Sequence, residues 1–355
     1  MTAGDATSHA ARTAIEANVP LRRGGGGALR ALDAMLDLVG GTRGCCLTFH
    51  RVAPSEEWRA LPDQGFTLEL ERLDALLSRL LAAGWDIVTM DEAMRRTPGA
   101  RRFVNFSIDD AYRDTWELIA PLFRKHGVPV TVYVTTGIPN GDYELWYVGL
   151  ETILVESREV LVRGREGRAD ERVALPDQPS RSALYRRLRA AWGDDDPLGP
   201  YHEFCRDNGY DPRSLHERHA ITWSMLRELG DDRFVEIGAH TVMHARISKL
   251  DPCAALAEMA ESRRQLENRL GIPVRHFAFP FGRRNDCGER DFDLAREAGF
   301  ITAATTSKGL IRPGASSNPY RLPRNTLNGL RGGGATIQSH LTGLSGALAR
   351  LTRRD

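Results

Sequence analysis

The sequence predicts a parallel α/β fold, with a barrel favoured over an open sheet. Three observations carry this. From residue 42 onward, strand-like and helix-like segments alternate, as chains built from βαβ units do. Several of the strand segments are apolar at nearly every position, the pattern of strands covered on both faces. Two-residue hairpin signals are absent, and no G-x-G-x-x-G follows the first strand as it would in an open dinucleotide-binding sheet. The chain has 355 residues, 41% hydrophobic and 27% charged, which excludes a wholly disordered protein. Its 48 basic and 47 acidic residues leave a formal charge of +1. Nothing there predicts affinity for nucleic acid or an anionic membrane, and no apolar run approaches the roughly 20 residues of a transmembrane helix.

Residues 1–42 read as a flexible segment: a polar start without the pattern of a secretion signal, the linker-like run Gly24–Gly27, and a short helix over 28–39 that packs under the domain. A cytoplasmic location follows as the expectation. The domain proper spans 43–330. Strands are predicted at Cys45–His50, Asp86–Met90, Phe103–Ile108, Val128–Thr135, Phe234–Ala239, His276–Phe281 and Ile301–Thr305. Helices fall between them. Leu73, Leu76, Leu77 and Leu80 line one face of a helix over 68–83, and another covers 115–126. Asp251–Pro252 is an N-cap and first-turn pair for a helix that Gly271 stops, and a further helix covers 289–298. Residues 140–232, with an acidic turn at Asp194–Pro197, are too long for a bare loop and read as a mostly helical insertion. Residues 331–355, with Gly332–Gly334, form a tail of little information. The five cysteines show no C-x-x-C spacing and read as reduced core thiols.

Three segments carry chemistry. In Phe103–Asp110 an apolar strand ends in two adjacent carboxylates. One Asp there reads as a helix cap, but two side by side repel and require a cation or a shared proton. In 234–244 a second strand ends at His240, with His244 four residues on. That spacing on a helical turn or tight loop suits two imidazoles on one metal, and zinc is the commonest metal at imidazole–carboxylate hydrolytic sites. In 276–283 an aromatic strand ends at Pro280, Phe281 and Gly282.

SIDDAYRD (107–114), AHTVMH (239–244) and FAFPFG (277–282), in that order, resemble the first three motifs of the polysaccharide deacetylases, the NodB-homology family, and LTFHRV (47–52) resembles its opening strand. The likeness covers about 43 to 325, outside much of 140–220. It implies a deformed (β/α)7–8 barrel with the helical insertion, and a metal-dependent hydrolase that removes N-acetyl groups from an N-acetylglucosamine-containing oligo- or polysaccharide such as a chitooligosaccharide. By the family pattern Asp110, His240 and His244 are ligands of a divalent metal, zinc first, and Asp109 is the general base. The N–H of Tyr143 or a neighbour is the candidate oxyanion donor.

Tyr112, Trp146, Tyr147, Pro280, Phe281 and His50 are the candidate substrate-binding residues, with Trp223 a further exposed ring. The sequence also departs from the family. Ala111 stands where the family has Gly, and fits unless φ must be positive. Ala278 stands where an Arg often orients the base, so Arg321 or Arg324 is expected to supply that charge. No L-x-x-H motif supplies an acid, leaving His340 in the tail or His50 on the first strand. Two other readings stay open: an amidase of the same fold acting on a non-sugar C–N bond, and a non-catalytic carbohydrate-binding protein. Oligomeric state is not readable.

Overall fold

The β-branched and apolar runs form the middle of one parallel sheet. The computed structural model describes residues 44–352 apart from 98–99, 165–168, 194–196, 312–317 and 328–332. The N-terminal segment, the linker and helix read within it, the acidic residues 194–196 and Gly332 lie outside the described residues. In chain order the strands are β1 (Gly44–Phe49), β2 (Arg51–Ala53), β3 (Thr67–Glu69), β4 (Asp86–Ile87), β5 (Phe103–Asp110), β6 (Val130–Val134), β7 (Glu159–Val162), β8 (Glu171–Ala174), β9 (Val235–Ala239), β10 (His276–Ala278), β11 (Thr302–Ala304) and β12 (Asn325–Thr326).

Eight of them make the main sheet, in the order β11-β10-β9-β6-β5-β1-β12, with β4 paired to the start of β5. Every pairing in it is parallel. The sheet curls until the chain around β12 brings its edges together: Leu322 bridges Ala304 of β11, and Asn325 and Thr326 pair with Leu47 and Thr48 of β1. This is the deformed barrel, and every residue of β1, β5 and β6 is buried, as strands packed on both faces must be.

The barrel interior is filled unevenly. Cys46, Ala278 and Ala304 are small, and the Tyr133 ring crosses toward β9. A Cβ on Gly238 would lie 2.5 Å from that ring, so only glycine fits there. The small residues leave room for Arg324, the largest fully buried side chain.

The surrounding helices follow their sequence signals. Leu73, Leu76, Leu77 and Leu80 are the buried stripe of Leu70–Ala82. Asp251 accepts from the N–H groups of Cys253 and Ala254 at 3.0 Å, and Gly271 ends Pro252–Leu270 at φ 69. Several boundaries differ, and β10, for example, stops at Ala278 rather than Phe281. Residues 67–69 belong to β3, and β4 stops at Ile87 because Thr89 caps a helix over Met90–Arg95. Cys253 is exposed, unlike the other four cysteines.

The insertion holds helices at Trp146–Glu156, Gln178–Trp192, Leu198–Asp207 and Pro212–His219, plus the antiparallel pair β7–β8. It has a small core of its own around Leu150, Leu154, Leu184 and Tyr201. The next helix, Trp223–Gly230, instead puts Leu226 and Leu229 into the barrel core. The C-terminal stretch contains two helices, Gly333–Leu341 and Leu344–Thr352, and Ile337 and Leu341 also enter the barrel core. Among the described residues no helix is long and apolar enough to cross a membrane.

Candidate active site

The residues singled out in the sequence meet where β1, β5, β9 and β10 end. At the end of β5 the N–H of Ala111 donates to the Asp109 carbonyl at 2.9 Å, with Asp110 at φ 72 between them. This is a γ-turn of the rare positive-φ kind, and it sends consecutive carboxylates to different partners. A second one follows β10: the N–H of Gly282 donates to the Pro280 carbonyl at 2.6 Å across Phe281, at φ 61. Among the described residues the non-glycine positions with positive φ are Asp110, Ala111, Thr241, His244 and Phe281. All five belong to these turns and the histidine loop, so backbone strain is concentrated at the site. Ala111 has φ 70, so the family's glycine position does require positive φ here, and alanine bears it.

Asp109 turns inward. Arg324 donates to both its carboxylate oxygens, at 2.5 and 2.8 Å, and also to Thr48 and Ser107, each at 3.2 Å. Burial would raise the Asp109 carboxyl, but Arg324, His240 and His50 outweigh it and hold it at about 2. Arg324 therefore supplies the orienting charge, while Arg321 pairs with Glu289 at 3.4 Å on the surface.

Asp110 turns outward. Its Oδ1 lies 3.5 Å from His240 Nε2 and 3.3 Å from His244 Nε2. The His240 ring is fixed by its other nitrogen, 2.7 Å from the Ala278 carbonyl. A carbonyl only accepts, so Nδ1 carries the hydrogen and Nε2 presents a lone pair. Burial pushes both imidazoles down, His244 to about 4, which keeps them neutral. Asp110 Oδ1 is buried without any hydrogen-bond partner. The His240 Nε2 lone pair, the His244 Nε2 and an orphaned carboxylate oxygen lie within 4.8 Å of one another, an arrangement a divalent cation satisfies.

His240 and His244 lie on a loop, not a helical turn. Glu258, from the helix Pro252–Leu270, shapes it by accepting the N–H groups of Val242 and Met243, both at 2.9 Å. Sequence reasoning missed Glu258, whose part in the loop has no local signature. The Tyr143 N–H is committed to the Gly137 carbonyl at 3.0 Å, which removes it as the oxyanion donor.

A cleft of about 1200 Å³ opens over these groups, lined by Asp109, Asp110, His240 and His244. Four of the expected substrate-binding residues line it: His50, Trp146, Tyr147 and Phe281. Tyr112 and Pro280 do not. Tyr112 is buried and spends its hydroxyl on Asp110 Oδ2 at 2.6 Å, and Pro280 is buried beneath its turn. Trp146 is only 8% exposed, whereas Phe281 is 45% exposed and stands 4.9 Å from the His244 ring. The Tyr147 hydroxyl meets that of Tyr112 at 2.5 Å, linking the insertion to a candidate ligand. Trp223 bonds Asn140 at 3.0 Å and is not part of the cleft. His50 stacks on Phe66 at 4.7 Å.

The family model described as "Polysaccharide deacetylase" matches residues 199–300. A Bacillus subtilis (strain 168) protein, YxkH, described as a polysaccharide deacetylase, is 28% identical over 97 residues, covering 27% of this chain and 33% of its own. The match thus spans about a third of that relative. The fold resembles the Streptococcus pyogenes deacetylase PplD, with a TM-score of 0.54 at 14% identity over 85% of this chain and 99% of that one. It also resembles IcaB from Ammonifex degensii, with a TM-score of 0.52 at 16% identity over 85% and 98%. The family-model match takes in the second and third motifs but not the first, and the structural likeness extends to the fold of most of the chain.

Proposed function

We propose that this chain, a polysaccharide deacetylase by family resemblance, is a metal-dependent hydrolase that removes N-acetyl groups from a glycan containing N-acetylglucosamine. The observation that carries the reading is the orphaned Asp110 Oδ1 between two neutral imidazoles. Asp110, His240 and His244 would hold a divalent cation, zinc by ligand type, and such a cation polarises an acetamide carbonyl and acidifies a bound water.

Asp109 is the base. Arg324 keeps its carboxylate ionised and fixes its plane, so a lone pair is always available for the proton of an attacking water. His50 is the acid that returns a proton to the departing amine. It lines the cleft at the end of β1, the strand that pairs with the one carrying Asp109 and Asp110. His340 also lines the cleft, but its Nδ1 lies 2.9 Å from the Ser345 hydroxyl. The open face of Phe281 suits a pyranose ring.

Incubation with N-acetylglucosamine oligomers and zinc, read by mass spectrometry, tests the proposal. Loss of one acetyl mass per product, abolished by chelation and restored by metal, is expected. Ammonia released from a non-sugar amide, with the oligomers untouched, would favour an amidase instead.

A further inference from the structure

The cleft gathers positive charge, although the chain as a whole carries only +1. Arg283, Arg284 and Lys308 line it. Arg283 and Arg284 follow the Phe281 turn, and Lys308 follows β11. The two loops are tied together, since the Thr306 N–H donates to the Gly282 carbonyl at 2.8 Å and its hydroxyl to the Phe281 carbonyl at 2.7 Å. The three cations therefore come from one pair of tied loops, and the Phe281 turn in that pair packs on His244.

The acids of the cleft are all committed elsewhere. Asp109 is held bidentately by Arg324, Asp286 pairs with Arg246 at 2.8 Å, and Asp110 faces the histidines. Arg283, Arg284 and Lys308 make no ion pair among the described residues, and all three are exposed. Several arginines elsewhere, Arg124, Arg163, Arg218, Arg264 and Arg275 among them, each hold a carboxylate within 3.0 Å. Others, such as Arg59, Arg95, Arg206 and Arg227, are exposed and form no ion pair among the described residues, but they lie outside the cleft. A chain with 48 basic and 47 acidic residues thus gathers, in its cleft, three cations that have no carboxylate partner among the described residues. A neutral sugar leaves their charge unmatched, while a guanidinium pair and an ammonium match the oxygens of a carboxylate or phosphate.

We infer that the glycan is anionic: a carboxylate or phosphate, carried beside the N-acetylated sugar, docks on Arg283, Arg284 and Lys308. This rests on the deacetylase reading and names the substrate class for it. The cations also draw such a substrate toward the cleft, an effect that salt weakens.

The test compares three forms of one N-acetylglucosamine oligomer: neutral, carrying a carboxylate, and carrying a phosphate monoester. Deacetylation by the zinc-loaded full chain should show kcat/KM at least about tenfold higher for one of the charged forms at low ionic strength. The better form identifies which anion is read. That advantage should shrink as salt rises, and the charged and neutral values should converge in Arg283→Gln/Arg284→Gln, with Lys308→Gln extending the effect. Equal kcat/KM for all three forms, or a preference that survives these substitutions, overturns the inference and leaves the deacetylase reading intact. Direct calorimetric titration separates the reverse case. Arginine-dependent binding of the charged oligomer with no acetyl release supports the anionic site and sinks the deacetylase reading.

Discussion

Two clusters in this barrel offer metal-ligand side chains within 4.8 Å of one another: Asp110, His240 and His244, and Asp91, Glu236 and His276. Strand β9 serves both, with Glu236 near its start and His240 just past its end. The clusters therefore sit at opposite ends of one strand. What separates them is whether their lone pairs are already used. Glu236 accepts the Met90 and Asp91 N–H groups at 2.7 and 2.9 Å and the Thr131 hydroxyl at 2.8 Å. His276 bonds Thr302 at 2.8 Å and Asp91 at 3.1 Å through its two nitrogens, and Asp91 also holds Arg275 at 2.7 Å. That cluster satisfies itself and ties the start of the helix Met90–Arg95 to the barrel. The other leaves Asp110 Oδ1 with nothing. Proximity of ligand types does not make a site; unspent lone pairs do.

Removing a ligand from each cluster is the widest test of that contrast. His240→Ala or His244→Ala should strip bound metal and lower deacetylation by more than about a hundredfold, by analogy with the loss of an essential catalytic group. His276→Ala should leave the metal stoichiometry of the folded protein as it was. Full metal content in both upper variants, measured by elemental analysis, would end the assignment.

Asp109→Asn comes next. The amide keeps the shape and removes the base, so turnover should fall about 10²- to 10⁴-fold with metal retained. The loss should appear in kcat. The variant also leaves Arg324 buried without its counter-charge, a change that typically costs about 3–5 kcal/mol, so thermal unfolding must be read beside the kinetics. Metal lost in step with activity would make Asp109 a ligand instead.

At the lower cluster, Glu236→Gln should cost stability alone, about 1–3 kcal/mol, since an amide cannot accept all the donors that face it. Burial would raise the Glu236 carboxyl, but His276, the Asp91 N–H and the Thr131 hydroxyl outweigh it and hold it below its ordinary value. Its contribution is therefore present above pH 4.5 and lost as pH falls below it, where the unfolded chain takes up the proton first. Denaturant titrations from pH 7 to pH 3 should show a shallower acid decline in the variant. Specific activity per folded, metal-loaded molecule should hold, and a change in it would mean that the two ends of β9 are coupled.

How much of this could be read from sequence depended on whether the relevant residues lie together in the chain. Asp109–Asp110, His240–His244 and Pro280–Gly282 were legible because each is one contiguous strand end. The strands at 103–110 and 130–134 were legible because burial on both faces leaves a continuous apolar run. Arg324 was half legible, as one of two arginines whose surroundings the sequence cannot distinguish. It reaches Asp109 across 215 residues. Glu258 was invisible, since it shapes the histidine loop from a helix whose own pattern is ordinary. Strand β12, two residues long, is too short to show any period. The β7–β8 hairpin has little sequence signature because its strands are four residues each and no two-residue turn joins them. Tyr112 and Trp146 were read as exposed sugar platforms because ring type does not report burial.

The smallest expected effect concerns Ala111, where sequence left the sign of φ open. Ala111→Gly should relieve a left-handed alanine, about 1–2 kcal/mol in favour of folding. Against that stand the loss of a fully buried methyl, about 0.8 kcal/mol, and the greater freedom of glycine in the unfolded chain, about 0.4–1 kcal/mol. The terms nearly cancel, so the variant should lie within about 1 kcal/mol of the parent. Ala255 is equally buried but sits in the long helix Pro252–Leu270. There the same substitution relieves nothing and should cost about 2 kcal/mol, from helix propensity plus the lost methyl. Paired urea titrations read the difference directly. If Ala111→Gly costs as much as Ala255→Gly, the turn after Asp110 holds no strain for glycine to release, and the concentration of strained backbone around the candidate metal site loses its energetic meaning.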